Sequence, residues 1–216
     1  MTRLILLRHG ETMANVEKIW HGALDAPLTQ VGEAQVAAAT QRLLRLHADS
    51  PIDHIYVSPL PRAQRTAHEI AGSIGLDLRV DDGLSEMSIG DWEGRTFAHL
   101  RDVDRLWERW SADPSFTPPN GESPLSFGRR VPAAFLRLSE AHPSETLLIV
   151  THGGVISNLL AQWLGDGPQD WARWDPANCA ISVLDRVDDG WTPTLVNDVA
   201  HLAGVGHLPG DWFIND

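Results

Sequence analysis

The sequence has little cysteine and no long run of apolar residues. Its one cysteine, Cys179, excludes an intrachain disulfide and a cluster of thiolate metal ligands. No stretch approaches the roughly 18 consecutive apolar residues of a membrane-spanning helix. The apolar run at the N-terminus is too short for a secretory signal peptide, and charged residues follow it directly. We therefore expect a cytoplasmic protein with no membrane partner.

Positive charge is also scarce, with 17 lysines and arginines against 29 aspartates and glutamates. The formal net charge of −12 argues against a nucleic-acid partner, because nucleic acids bind to basic protein surfaces. A small anionic ligand remains compatible with this charge, since a local pocket can be positive on a negative protein.

Short apolar segments alternate with segments of helical periodicity along most of the chain. This alternation predicts an α/β fold, a three-layer sandwich in which helices cover both faces of a mostly parallel sheet. Thr29 can cap the first long helix, Pro61 suits the first turn of the next, and Gly75 can end it. Further helices are predicted from about 123 and from about 153 to 165. The strands are predicted in "RLILLR", "HIYVS", "DLRV", "TLLIVT", "AISVLDRV" and "TPTLVNDV".

The segment from 86 to 124 differs from the rest because turns dominate it. The spacing of Leu100, Val103, Trp107 and Trp110 predicts one short helix between the turns. We interpret the segment as a cap or insertion within a single domain that spans residues 1–216, a length that can bury a substantial core.

Two of the predicted strands run directly into His-Gly. "LILLRHGET" places Arg8 and His9 after the first strand, and "LLIVTHGGV" places His152 after the fourth. The carboxyl ends of parallel strands meet at one edge of a sheet, where ligands bind. If the two strands are neighbours, His9 and His152 face each other across one pocket.

Arg62 lies in the first turn of a predicted helix, where the helix dipole disfavours a positive side chain. An anion bound at the start of this helix accounts for the arginine. Together with Arg8, His9 and His152, it predicts a phosphate-binding site, since guanidinium groups match phosphate oxygens in pairs. For Arg62 taken alone, a solvated surface arginine is the alternative.

Seven segments carry a resemblance to a known family, in family order over nearly the whole chain. They are "LLRHGET" with Asn15, "HGALDAPLTQVG", "SPLPRAQRTA", "LSEMSIGDWEG", "NGES", "VTHGGVI" and "NDVAHL". On these segments the chain resembles the histidine phosphatase superfamily, also called phosphoglycerate mutase-like.

The resemblance implies a mechanism without a metal or another cofactor. His9 would attack phosphorus and form a phosphohistidine, so its second ring nitrogen should donate to a backbone carbonyl. Glu86 matches the residue that protonates the leaving alcohol and later activates water. The phosphate would be held by Arg8, Asn15, Arg62 and His152. His21 and Gly22 fall beside the expected substrate, although a surface-loop histidine is the alternative for His21.

Two alternatives concern the chemistry of this site. His9, His152, Glu11 and Glu86 could be metal ligands, but Arg8 and the absence of His-x-His or His-x-x-x-His spacing argue against it. A phosphate-binding protein without catalysis is the second alternative, and it needs neither a nucleophile nor an acid.

We favour hydrolysis of a phosphate ester over transfer of the phosphoryl group within the substrate, as in a mutase. The resemblance places Met87 where cofactor-dependent phosphoglycerate mutases carry an arginine, and the mutase insertion is shortened. We therefore expect the phosphatase branch, a phosphomonoesterase for a small phosphorylated substrate, with phosphoglycerate mutase activity as the alternative. Sugar phosphates, phosphoglycerate derivatives, nucleotide-loop phosphates and phosphohistidine in proteins all remain candidates, and the chain is expected to be a monomer or homodimer.

Nine tryptophans are many for this length. A core position is favoured for most of them, and an aromatic mouth of the pocket is the alternative. The set considered is Trp92, Trp107, Trp110, Trp163, Trp171 and Trp174. Near the C-terminus, His201 and His207 are expected to be structural.

Overall fold

The computed structural model describes residues 1–188 and 190–206, and His207 lies outside them. None of the helices in these ranges combines the length and the apolar content needed to cross a membrane. The strands are β1 (Arg3–Arg8), β2 (His54–Val57), β3 (Leu78–Val80), β4 (Thr146–Thr151), β5 (Ile181–Val187) and β6 (Gly190–Asp198). The helices are α1 (Met13–Val16), α2 (Gln30–Asp49), α3 (Pro61–Ile74), α4 (Phe97–Asp102), α5 (Leu106–Ala112), α6 (Pro124–Ala141) and α7 (Gly153–Leu164).

The strands form one sheet in the order β3-β2-β4-β1-β5-β6. The first four in this order are parallel to their neighbours, whereas β5 and β6 are antiparallel. The predicted mostly parallel sheet is thus confirmed. Because β1 and β4 pair directly, with Arg8 opposite Thr151, the two His-Gly junctions come together at one edge.

The alternation of side chains along β1 builds two apolar layers. Ile5 and Leu7 belong to a buried cluster with side chains of α2 and α3. Leu4 and Leu6 point to the opposite face and join a buried cluster with side chains of α6 and α7. Successive strand residues point to opposite faces, so one apolar strand serves both layers and the three-layer sandwich is confirmed.

Local end signals predicted the helix boundaries well. Thr29 Oγ1 accepts a hydrogen bond from the Gly32 amide at 2.9 Å, as a helix cap does. Pro61 starts α3, and Gly75 ends it in the left-handed region at φ +83°.

The prediction of one short helix around residues 100–110 is wrong, because two helices, α4 and α5, lie there. Arg105, between them, has a left-handed backbone at φ +53°, which a continuous helix does not allow. Val103 is 65% exposed, whereas Leu100 and Leu106 are fully buried in one cluster. The apolar residues of this segment have helical spacing because two helices contribute them to one buried cluster, not because they lie on one helix.

Candidate active site

His9 and His152 follow neighbouring strands, and their ring centroids lie 5.3 Å apart. Both side chains are buried. Gly10 allows the chain after β1 to pass against α2, since a Cβ there would come within 2.9 Å of the Gly32 carbonyl oxygen. The structure therefore brings the two predicted histidines together.

The ring of His9 is held in one tautomer by its backbone. His9 Nδ1 lies 2.8 Å from the Gly10 carbonyl oxygen and donates to it, which leaves Nε2 with a lone pair. Arg62 Nε donates to this Nε2 at 3.3 Å. The predicted contact between the second ring nitrogen and a backbone carbonyl is present.

Arg62 is fully buried at the start of α3, so the alternative of a surface arginine is wrong. Its Nη2 donates to the Gly22 carbonyl at 2.7 Å, and its Nη1 donates to the Leu24 carbonyl at 3.0 Å. Burial lowers the pKa of Arg62 to about 10, so the guanidinium stays charged at neutral pH. Two carbonyl groups of the loop before α2 thus hold the Arg62 guanidinium in the position where its Nε faces His9.

Gly22 supports Arg62 through its backbone. Its φ of +43° lies in the left-handed region, and a Cβ would come within 2.2 Å of Glu93 Oε1. Glycine adopts this backbone angle without strain, so it favours the conformation in which this carbonyl faces Arg62.

Arg8 lies next to the carboxylate of Asp175 at the site. Arg8 Nη1 donates to the Pro176 carbonyl and lies 3.8 Å from Asp175 Oδ1. Within residues 1–188 and 190–206, Arg8 Nε is buried without a hydrogen-bond partner. This donor remains for a ligand. Sequence reasoning missed Asp175, because a single aspartate in "WDPAN" carries no motif.

Asn15 and Asn178 form a second layer around His9. Asn15 Oδ1 accepts from the Thr12 amide at 3.0 Å and from Asn178 Nδ2 at 3.2 Å, which leaves the Asn15 amide nitrogen as the group for the cavity. Asn178 Nδ2 also donates to the His9 carbonyl at 3.0 Å. Asn178 was not predicted, since its place beside His9 depends on how β5 approaches β1.

Glu86 reaches the same cavity from the segment after β3. Its Oε2 accepts from the Gly154 amide at 2.9 Å, and its Oε1 accepts from the Met87 amide at 2.8 Å. A Cβ at Gly154 would come within 2.4 Å of Glu86 Oε1. The second glycine of "HGG" thus lets a carboxylate approach the start of α7.

His152 is oriented by a residue that the sequence did not point out. Its Nε2 lies 2.7 Å from Ser58 Oγ, at the end of β2. Its Nδ1 is buried without a hydrogen-bond partner among the described residues.

His21 lies over the same pocket, so the alternative of a surface-loop histidine is wrong. Its ring centroid is 6.1 Å from that of His9, and its Nδ1 donates to the Ile19 carbonyl at 3.3 Å. His21 Nε2, which is then an acceptor, is buried.

One end of a cavity of about 730 Å³ is lined by Arg8, His9, Asn15, His21, Arg62, Glu86 and Asp175. The other end is aromatic, with Trp20 at 6.0 Å from Trp110 and 6.4 Å from Trp107 between ring centroids. Trp163 instead stacks on Trp191 at 4.7 Å, and both pack against the core. The tryptophans thus divide between core and pocket, and the pocket also contains Trp20, which was not considered. The aromatic lining consists of Trp20, Phe97, Trp107, Trp110, Phe127 and Trp171.

The sequence pattern of the histidine phosphatase superfamily (branch 1) matches residues 4–199. This chain belongs to that superfamily. A bifunctional protein of Mycobacterium tuberculosis is 37% identical over 203 residues, which are 93% of this chain and 55% of that protein. The chain therefore spans about half the length of the first curated relatives it matches.

Two further comparisons cover nearly all of both proteins. A Yersinia enterocolitica protein named "Probable phosphoglycerate mutase GpmB" is 34% identical over 209 residues, 94% of this chain and 95% of that protein. The crystal structure of the α-ribazole phosphatase from Shigella flexneri is 33% identical, with a TM-score of 0.79 over 91% of this chain and 96% of that chain.

The metal-ligand alternative does not fit the geometry of this site. Glu11 Oε1 accepts from Thr29 Oγ1 at 2.7 Å rather than joining His9 and His152. Among the described residues, histidine and acidic side chains converge instead at His54, His142 and Glu145, in another part of the fold.

His9, His21 and His152, the three histidines of the site, are kept neutral. Burial lowers the pKa of His9 and of His152 well below 6.5, and the charge of Arg62 lowers both further. Burial also lowers the pKa of His21 to about 3. Their lone pairs are therefore available at neutral pH.

We expect the free energy of unfolding to fall as the pH falls from about 7.5 to about 5.5. Below about pH 6.5 the unfolded chain protonates these histidines, whereas the folded chain, with lowered pKa values, does not. Each proton contributes a slope of about 1.4 kcal/mol per pH unit. Urea unfolding at a series of pH values should show this slope. His21→Gln should reduce the slope by the share of one proton, up to about 1.4 kcal/mol per pH unit.

His68→Gln, which changes an exposed histidine on α3, is the matched control. A free energy of unfolding that stays constant over this pH range would contradict the neutrality of the buried imidazoles.

Proposed function

We propose that this protein hydrolyses phosphomonoesters through a phosphohistidine on His9, without a metal ion. The observation that carries the proposal is the environment of His9 Nε2. This nitrogen has a lone pair because Nδ1 donates to Gly10, and it lies at 3.3 Å from Arg62 Nε beside the unpartnered Arg8 Nε. A neutral nucleophile near two guanidinium groups suits attack on a phosphate dianion.

In the first step His9 Nε2 attacks phosphorus while the bond from phosphorus to the leaving oxygen breaks. Arg8 and Arg62 stabilise the charge on the phosphoryl oxygens, and Asn15 and His152 contribute neutral donors. Glu86 acts as the general acid and gives a proton to the leaving oxygen.

In the second step the Glu86 carboxylate accepts a proton from water. The water oxygen attacks phosphorus, the nitrogen–phosphorus bond breaks, and the electron pair returns to His9 Nε2. Phosphate leaves, and Glu86 is again an acid.

The side chains that line the cavity beyond the proposed phosphate site favour hydrolysis over mutase activity. Met87 is buried against apolar side chains, and its carbonyl accepts from Trp20 Nε1 at 3.3 Å. Besides Arg8 and Arg62, Arg129 is the one arginine or lysine among the described residues that line the cavity, and it is exposed. A substrate carboxylate therefore finds little positive charge here, whereas the aromatic wall suits an apolar or aromatic leaving group.

The test is phosphate release with excess chelator from two primary-alcohol esters, 2-naphthylmethyl phosphate and glycerol 3-phosphate. We expect chelator-resistant hydrolysis of both and a higher kcat/KM for the naphthyl ester, because the alcohols leave with similar difficulty but differ in apolar surface. Activity that needs a metal would overturn the proposal. Isomerisation of 3-phosphoglycerate primed by bisphosphoglycerate, with little hydrolysis, would support the mutase alternative.

Glu86→Gln should separate the two proton transfers. For glycerol 3-phosphate we expect kcat to fall by about 10²- to 10⁴-fold, since the leaving alkoxide needs the proton. For p-nitrophenyl phosphate, whose leaving group needs no acid, a rapid burst of nitrophenolate should persist before slow turnover. Stopped-flow absorbance measures this burst.

The matched control is Glu93→Gln, which changes a half-buried carboxylate that accepts from Ser88 and from the Ala23 amide. If Glu86→Gln slowed both esters equally without a burst, the assignment of the acid would be wrong.

A further inference from the structure

Two histidines and a glutamate lie at the sheet edge opposite the candidate active site. His54 begins β2, His142 directly follows α6, and Glu145 directly precedes β4. Since β2 and β4 are parallel neighbours, their first residues meet at one edge. The phosphatase chemistry uses none of these three side chains.

Three potential ligand atoms converge in this group. Glu145 Oε2 lies 3.0 Å from His54 Nε2 and 2.6 Å from His142 Nδ1. The two imidazole centroids are 4.2 Å apart, and all three atoms lie within 4.8 Å of one another. We propose that these atoms form a binding site for a divalent transition-metal ion of the Zn²⁺ class.

The donor set and its spacing fit such an ion. Zn²⁺ takes imidazole nitrogen and carboxylate oxygen at about 2.0–2.2 Å, and tetrahedral geometry places two ligand atoms about 3.3 Å apart. Relative to this spacing, Glu145 Oε2 has to move away from His54 Nε2 by about 0.3 Å and from His142 Nδ1 by about 0.7 Å. Its side chain is 41% exposed, so it can shift and an ion can enter from solvent.

Tyr56 supplies the outer partner that metal-binding histidines need. Its Oη lies 2.9 Å from His142 Nε2, so that nitrogen can carry the proton and donate to it. His142 Nδ1 is then unprotonated and faces the ion. Arg79 Nη1 donates to the same Tyr56 oxygen at 3.4 Å, which holds the phenol in place.

The competing explanation is that the three side chains serve only to connect β2, α6 and β4. In that case each imidazole keeps its proton and donates a hydrogen bond to Glu145. A metal site and a hydrogen-bonded group differ in one property. In a metal site the ligand nitrogens lose their protons when the ion binds. Metal titration of the intact chain decides between them.

The experiment titrates the chelator-treated protein with Zn²⁺ by calorimetry and with Co²⁺ by visible absorption, which reports tetrahedral coordination. We expect the parent to bind an ion that His54→Ala and Glu145→Gln weaken by at least about a hundredfold, more than the loss typical of an outer partner. Tyr56→Phe should weaken it by about tenfold. His68→Ala, at an exposed position, and His9→Ala, at the other edge, should retain the cobalt spectrum.

Phosphatase activity of His54→Ala and Glu145→Gln should equal that of the parent, which also verifies their fold. Glu145→Gln keeps the size of the side chain and decides the question if His54→Ala fails to fold. No ion bound by the parent, or equal binding by Glu145→Gln, would overturn the site. A cobalt spectrum lost in His9→Ala and kept in Glu145→Gln would overturn it as well.

Discussion

Replacing His9 by alanine is expected to lower phosphate release by at least about a thousandfold, because the variant lacks the atom that takes the phosphoryl group. The Asn178 contact to the His9 backbone carbonyl and the Arg62 contacts to Gly22 and Leu24 do not involve the imidazole. The rest of the phosphate site should therefore persist. Steady-state release of p-nitrophenolate from p-nitrophenyl phosphate, with excess chelator, measures the loss.

A labelling experiment separates loss of the nucleophile from loss of the fold. After mixing with radiolabelled substrate and quenching, the parent should carry an acid-labile, base-stable label and His9→Ala should carry none. His68→Ala is the matched control, since it removes an exposed histidine from α3. Turnover by His9→Ala within about tenfold of the parent would show that another group takes the phosphoryl.

Replacing Arg62 by lysine is the second change with a large expected effect, a fall in kcat of at least about a hundredfold. Arg62 holds two carbonyl groups, at Gly22 and Leu24, while its Nε faces His9. A lysine keeps the charge, but its single ammonium cannot make these contacts and also hold phosphate oxygens. Because the lost interaction strengthens in the transition state, kcat should fall more than KM rises.

Arg65→Lys is the matched control, since Arg65 lies one residue triplet further along the same helix and is exposed. It should keep the kcat and the melting temperature of the parent. Equal kcat values for Arg62→Lys and the parent would show that charge alone suffices and that the fixed guanidinium is not needed.

Both variants address one electrostatic arrangement. On a chain with net charge −12, the pocket places Arg8 and Arg62 beside imidazoles that burial keeps neutral. An anionic ligand therefore meets two buried positive charges next to the candidate nucleophile. The local field at the pocket, rather than the overall charge, favours phosphate.

The order of strands and helices could be predicted from the sequence because its signals are local. Thr29 caps α2 with its own side chain, and Gly75 ends α3 with its own backbone angle. Apolar continuity in β1 and β4 likewise predicted strands buried on both faces. The two helices in place of one were not predictable in this way, since the turn at Arg105 interrupts the backbone without interrupting the apolar spacing.

The sequence alone indicated the candidate site residues, and His9, Arg62, Glu86 and His152 do line or face one pocket. Only the tertiary structure decided what surrounds them. Ser58, Asp175 and Asn178 reach the histidines and Arg8 from separate segments, as a consequence of the strand order β2-β4-β1-β5. The aromatic end of the cavity likewise needs Trp20 to meet α5. Sequence motifs reflect local geometry. The contacts of Ser58, Asp175, Asn178 and Trp20 form only when distant segments pack against the same sheet edge.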